Sequence, residues 1–193
     1  MELGEIRGRA IFIAGVTGVG KNTLISRMQE RFSKDLRFAC STTSRSQRST
    51  ESEGKNYYFV TPEEFLQRIK DNKFLEYEVV HGDIMYGTER AEYRRIWQQE
   101  FVAIADIDVK GAINFKKSLG VDALTVFITV SKLDDLRTRL RARGQEDEAM
   151  INLRLSRAEL EMSFQDQFDA VVMNDNLEQA TQDLENVIRE FLV

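Results

Sequence analysis

Apolar and polar positions alternate along this chain in two rhythms. Short runs dense in Val, Ile, Phe and Ala predict strands at residues 10–14, 36–41, 57–60, 74–80, 101–106, 124–130 and 169–174. Between them, apolar residues return every three or four positions, which predicts helices over residues 24–32, 89–99, 131–143, 146–163 and 177–191. A further helix starts after Thr61, because Thr61 can cap it, Pro62 fits its first turn and Glu64 completes a capping box. Residues 42–56 carry no apolar periodicity and read as a functional loop or a disordered one. Strands alternating with helices predict an α/β fold whose mainly parallel sheet is covered on both faces. There is no internal repeat.

The join between the first strand and the first helix carries a chemical signal. Gly15, Val16, Thr17, Gly18, Val19, Gly20 and Lys21 spell G-x-x-x-x-G-K, followed by Asn22 and Thr23. Between a strand and a helix this is a P-loop: glycines let backbone amides turn inward, the helix start adds positive potential and Lys21 adds a mobile charge. The next position ordinarily offers a hydroxyl to magnesium, and here Asn22 stands in it. An amide oxygen can still bind the metal, and weaker metal affinity is the expected consequence. The strand at 101–106 ends on Asp106, as the metal-side strand of such an enzyme should. Asp108 follows two residues later, and Asp106 could instead cap the helix after it.

Composition narrows the partners. The 193 residues, 42% apolar, suffice for one well-buried core, and no stretch resembles a linker. A net charge of -5 argues against nucleic acid or an anionic membrane as the main partner, so any anion site is local. Cys40 is the only cysteine, which excludes an internal disulfide, and no Cys/His spacing suits zinc. The first residues lack a signal peptide's pattern, and no apolar run approaches the ~18 residues of a membrane span. A cytoplasmic protein is expected.

Several further motifs share one order. Ser41, Thr42, Thr43, Ser44, Arg45, Ser46, Gln47 and Arg48 precede Glu51, Gly54, Tyr57 and Phe59; then come Phe74-Leu75-Glu76, Tyr86-Gly87-Thr88, residues 106–112, residues 141–144 and Asn174-Asp175. In this set the chain resembles the guanylate kinases over almost its whole length. The resemblance implies a single domain, 1–193, with a P-loop kinase core at about 1–40, 91–140 and 158–193, a GMP-binding insert at about 41–90 and a lid at about 141–157. It implies transfer of the γ-phosphoryl of ATP to GMP or dGMP with Mg2+, by a monomer or homodimer.

The resemblance also implies roles. ATP would meet Gly15, Thr17, Gly18, Val19, Gly20, Lys21, Asn22, Thr23 and Asn174, and the metal would meet Asn22 and Asp106. GMP would meet Ser41, Arg45, Arg48, Glu51, Tyr57, Glu76, Tyr86, Thr88 and Asp108. Lys21, Arg48, Arg143 and Arg154 would act on the transferring group. Chemistry supports the selection: forked guanidinium donors with hydroxyls suit a phosphate dianion, and a carboxylate at Glu76 accepts the adjacent N1–H and N2–H of guanine, a pair adenine lacks. Arg137, Arg139, Arg141 and Arg157 read as solvated helix arginines. His81 is not needed as a base, since a phosphate with a second pKa of about 6 is already largely deprotonated at neutral pH. Two rivals are a non-catalytic guanylate-kinase-like binding module and a related kinase of a phosphorylated sugar; only Asn22 favours the first, and the nucleobase set counts against the second.

Overall fold

A computed structural model describes residues 8–49, 51–80, 84–143 and 147–193, with Val80, Ser118 and Arg143 described by backbone alone. His81, residue 144 of the motif at 141–144 and residue 146, where a helix is expected to begin, lie outside these residues. The main sheet is parallel, with β1 (Ala10–Gly15) at its centre, β7 (Val102–Asp106) and β8 (Ala123–Thr129) on either side, and β2 (Leu36–Phe38) and β9 (Ala170–Met173) at the edges. All six residues of β1 are buried, which explains why its sequence is a continuous apolar run and not an alternation.

From β1 the chain passes through α1 (Lys21–Arg31) to β2, and from β7 through α4 (Val109–Leu119) to β8. These crossovers run in opposite directions along the sheet, so their right-handedness puts α1 and α4 on opposite faces. On the α4 face, Phe12 stacks on Phe115 at 4.7 Å and lies against Tyr93 of α3 (Arg90–Trp97). On the other face α1 packs with α7 (Leu177–Leu192), whose buried Ala180, Thr181, Leu184 and Ile188 keep helical spacing.

A second sheet interrupts this core. Its order is β4 (Tyr58–Phe59), β3 (Thr42–Thr43), β6 (Ile84–Glu89), β5 (Phe74–Val80), with β3 and β5 antiparallel to β6. Strand 36–41 is therefore shorter than expected, because the chain leaves the main sheet after Phe38 and joins the second one at Thr42. Part of the stretch read as unstructured is β3, and the segment around Tyr86 is a full strand. β3 lacks an apolar run because its two residues are threonines, buried with their hydroxyls bonded to Glu89 and to the Met85 carbonyl, and β6 because Tyr86 and Gly87 line a cleft. Helix α2 (Pro62–Lys70) begins with the expected capping box, Glu64 N donating to Thr61 Oγ1 at 3.1 Å and Thr61 N to Glu64 Oε2 at 2.9 Å. Its Phe65 stacks on Phe74 at 4.3 Å and, with Met85, forms a small separate core.

The outgoing and returning chains are tied where they cross between the sheets. Glu92 of α3 is buried, accepts from the Cys40 amide at 3.1 Å and is held by Arg95 at 2.8 Å. Helices α5 (Leu133–Arg143) and α6 (Glu148–Met162) complete the structure beside the P-loop. No described helix is long and apolar enough to cross a membrane.

Candidate active site

β1 ends on Gly15 at φ 137°, where an added Cβ would lie 2.0 Å from the carbonyl oxygen of Ile128. Gly20, at φ 100°, occupies the cap position of α1 and no side chain caps that helix, so its first amides stay available to an anion. Lys21 curls back over the loop, its Nζ donating to the Gly15 carbonyl at 2.8 Å and lying 3.9 Å from Asp106 Oδ1. Burial raises the Asp106 carboxyl pKa and the Lys21 charge opposes that rise. Thr17 and Lys21 line one cavity in front of the loop and Asn22 lines the one adjoining it; Asn22 and Thr23 are exposed.

The loop is braced from behind. Asn174 Nδ2 donates to the Val19 carbonyl at 2.7 Å, and Arg139 reaches both Val19 O at 3.3 Å and Asn174 O at 2.7 Å. Asn174, expected to meet ATP, is only 4% exposed and its Nδ2 donates to the loop. Arg139, expected to be merely solvated, joins that brace. Four arginines two apart on one helix gave no signal to single it out; its place beside the buried Leu136 and Leu140 could have done so.

Two adjoining cavities of about 560 and 460 Å³ open in front of the loop and share Ser41, Tyr57, Tyr86 and Asp106. The first is lined by Arg37, Arg45, Arg48 and Arg95 together with Glu51 and Glu92. Arg45 Nη1 and Nη2 bond both oxygens of Glu51 at 2.7 and 2.5 Å, its Nε donates to Tyr86 Oη at 3.2 Å, and its guanidinium lies 5.0 Å from the Tyr57 ring centroid. Glu51 also accepts from the Arg48 amide at 2.9 Å. The Arg45 guanidinium holds the Glu51 carboxyl down to about 2, while burial pushes the Tyr57 phenol up to about 12. Glu51, expected to meet GMP, thus acts on the arginines that would meet it: a carboxylate repels phosphate but can aim a guanidinium. Arg48 is exposed on the rim of the same pocket.

The second cavity contains Glu76. A register shift in β5 between Phe74 and Glu76 sends Leu75 into the main core and sets Glu76 opposite Thr88. A bulge of this kind re-aims a side chain at a site's edge. Gly87 makes the pairing possible, since a Cβ there would lie 2.6 Å from the Glu76 carbonyl oxygen. Tyr86 and Thr88, two apart on β6, share a face, and Thr88 Oγ1 is 2.9 Å from Ser41 Oγ. Burial pushes the Glu76 carboxyl up to about 7, hydrogen bonding to Thr88 opposes this and the Asp108 charge adds to it. Asp108 caps α4, accepting from Lys110 N at 2.8 Å and Gly111 N at 3.0 Å, and lines the same cavity. The capping weighed for Asp106 therefore belongs to Asp108.

The two expected lid arginines are described unequally. Arg154 is partly buried on α6 and is not among the described residues lining either cavity; the side chain of Arg143 lies outside the description. The lid boundary drawn at residue 157 falls inside α6, which continues without a break to Met162. No group of three or more His, Cys, Asp or Glu suited to a metal exists among the described residues. Asp106 with the Asn22 amide is instead a sparse oxygen set, which suits Mg2+ bound largely through phosphates.

A lysine in a glycine turn, a carboxylate at a strand end, and an arginine pocket opening into a carboxylate-lined cavity define a P-loop kinase with a second nucleotide site. The guanylate kinase family model matches residues 7–191. The guanylate kinase of Bacteroides thetaiotaomicron is 40% identical over 97% of this chain and 92% of its own length, and that of Salinibacter ruber is 41% identical over 94% and 96%. The crystal structure of guanylate kinase from Anaplasma phagocytophilum superposes with a TM-score of 0.74 at 26% identity, covering 95% of this chain and 85% of that one. The chain belongs to the guanylate kinase family, and with it to the ATP:GMP phosphotransferases.

Proposed function

We propose that Lys21 and the amides of the loop from Gly15 to Thr23 hold the ATP phosphates, that Ser41, Arg45, Arg48, Tyr57 and Tyr86 hold the GMP phosphate, and that Glu76, Thr88 and Asp108 read guanine. The observation that carries this reading is the continuity of the two cavities. Lys21 and Glu76 line one of them, Arg45 and Arg48 the other, and Asp106 both, so donor and acceptor groups share one space. Phosphoryl transfer needs little covalent help from the protein; it needs alignment, charge neutralisation and exclusion of water.

Arg45 supplies a fixed fork, aimed by Glu51 and backed by the Tyr57 and Tyr86 rings, while Arg48 at the rim is free to follow the transferring group. Arg143 and Arg154 would join it from the lid. Asn22 and Asp106 would hold Mg2+, which when bound neutralises charge on the donor phosphates. The acceptor oxygen of GMP carries no proton that must be removed, since the second pKa of a phosphate is about 6. The acidic net charge and the lone buried Cys40 support a cytoplasmic enzyme of small nucleotides, a monomer or homodimer.

A substrate panel of GMP, dGMP, AMP, UMP and ribose phosphates with ATP tests this reading. ADP release should depend on GMP or dGMP and fall to background in Lys21→Ala. GMP binding without ADP release would identify a binding module, and a preference for AMP would overturn the role of Glu76.

A further inference from the structure

One wall of the second cavity has no task in the reading above. Arg157 and Leu160 of α6 line it, and Glu78 and Val79 of β5 line it with them. The two elements come from separate parts of the fold, one from the second sheet and one from the helix beside the P-loop. Val79 is 58% exposed and Leu160 63% exposed. Arg157 is exposed and has no hydrogen bond or ion pair with any described residue. Its charge is nevertheless felt by Glu78, whose carboxyl pKa is raised by burial and by Asp108 and held down by Lys110 and Arg157. Glu161, four residues on, feels Lys21 more strongly and then Arg157. Each of these is an ordinary surface residue on its own; lining one nucleotide cleft together makes them a set.

We propose that Arg157 and Glu78 pair across the cleft when it holds its nucleoside monophosphate, with Val79 and Leu160 meeting beside them. The proposal rests on the reading that this cavity takes GMP. Arg157 is then a positioning residue: it draws α6 against the acceptor's sheet and sets the closed form in which water is excluded. A pair of this kind is weak while exposed. It strengthens as closure removes water from it. The open form therefore stays accessible, and occupancy of the cleft tips the balance.

Charge exchange tests the pairing. Arg157→Glu, Glu78→Arg and the double exchange are compared with the parent for GMP KM, ATP KM, kcat and GMP-induced compaction by small-angle scattering. Each single change should raise the GMP KM about fivefold or more, leave the ATP KM within twofold and abolish compaction. The double exchange should restore both GMP quantities, which a merely structural role would not do. Single changes without effect, or losses that simply add in the double variant, overturn the pairing. Glu76→Gln, run beside them, separates the two failures. If it raises the GMP KM while the exchange series is silent, only the pairing fails; if it too is silent, the acceptor-site reading fails and the pairing with it.

Discussion

On the proposed donor side, the groups that would face phosphate are backbone amides and one lysine, set in a turn that the main core surrounds. On the acceptor side they are long side chains on a small sheet whose own core is Phe65, Phe74 and Met85. Gly15 could not accept a methyl without striking Ile128, and Asn174 and Arg139 leave the loop no slack. Arg45, by contrast, is held by Glu51, Tyr57 and Tyr86, all from its own insert. The donor site is thus as rigid as the fold, while the acceptor site is only as rigid as its ion pairs. A substrate that must enter and leave before closure is better served by the second arrangement.

Changes on the two sides should therefore fail differently. Lys21→Ala removes the one mobile charge of the donor loop and should lower kcat by about 10³-fold with an unchanged melting temperature, read by turnover and thermal denaturation. If melting fell as far as activity, the lysine would be structural and the contrast would be lost. Arg45→Lys keeps the charge but loses the fork, and should raise the GMP KM about tenfold while sparing the ATP KM. Phe65→Ala empties the small core at a cost of about 3–5 kcal/mol, and hydrogen exchange should then rise through β3 to β6 while β1 and β8 stay protected. Uniform loss of protection would show that the two cores melt as one. Asn22→Ser should lower the magnesium concentration needed for half-maximal ATP binding by a few-fold, the smallest effect of the four; an unchanged titration would leave Asn22 outside the metal site.

The elements that build the core were legible because their burial is total. The continuous apolar runs of β1, β7 and β8 and the capping box of α2 each have one stable solution. The insert was legible only in part. β3 is two buried threonines and β6 interleaves Tyr86, Gly87 and Thr88, so neither strand carries a hydrophobic rhythm, and the resemblance, not the periodicity, singled out Ser41, Arg45, Tyr86 and Thr88. Glu51 and Asn174 were singled out for the nucleotides, and in the structure their side chains bond neighbours: one holds Arg45, the other Val19. Partnership between residues far apart in sequence leaves no pattern, which is also why Arg139 read as merely solvated and Glu92 gave no signal.

The central claim is that Glu76 reads guanine, and its pH dependence tests it most directly. Burial makes the ionised carboxylate costly, so the folded protein holds this proton more tightly than the unfolded chain, and stability from this group falls as pH rises from about 4.5 to about 7. Binding has the opposite sign, because only the ionised form accepts both guanine donors. With the GMP phosphate titrating near pH 6 in both proteins, kcat/KM for GMP in the parent should keep rising through pH 7 and level off by about pH 8. Glu76→Gln should lose that rise, fall about 10–100-fold below the parent at pH 8 and discriminate less against AMP. A Glu76→Gln profile that rises through pH 7 like the parent's, with GMP still preferred to the same degree, would contradict the account.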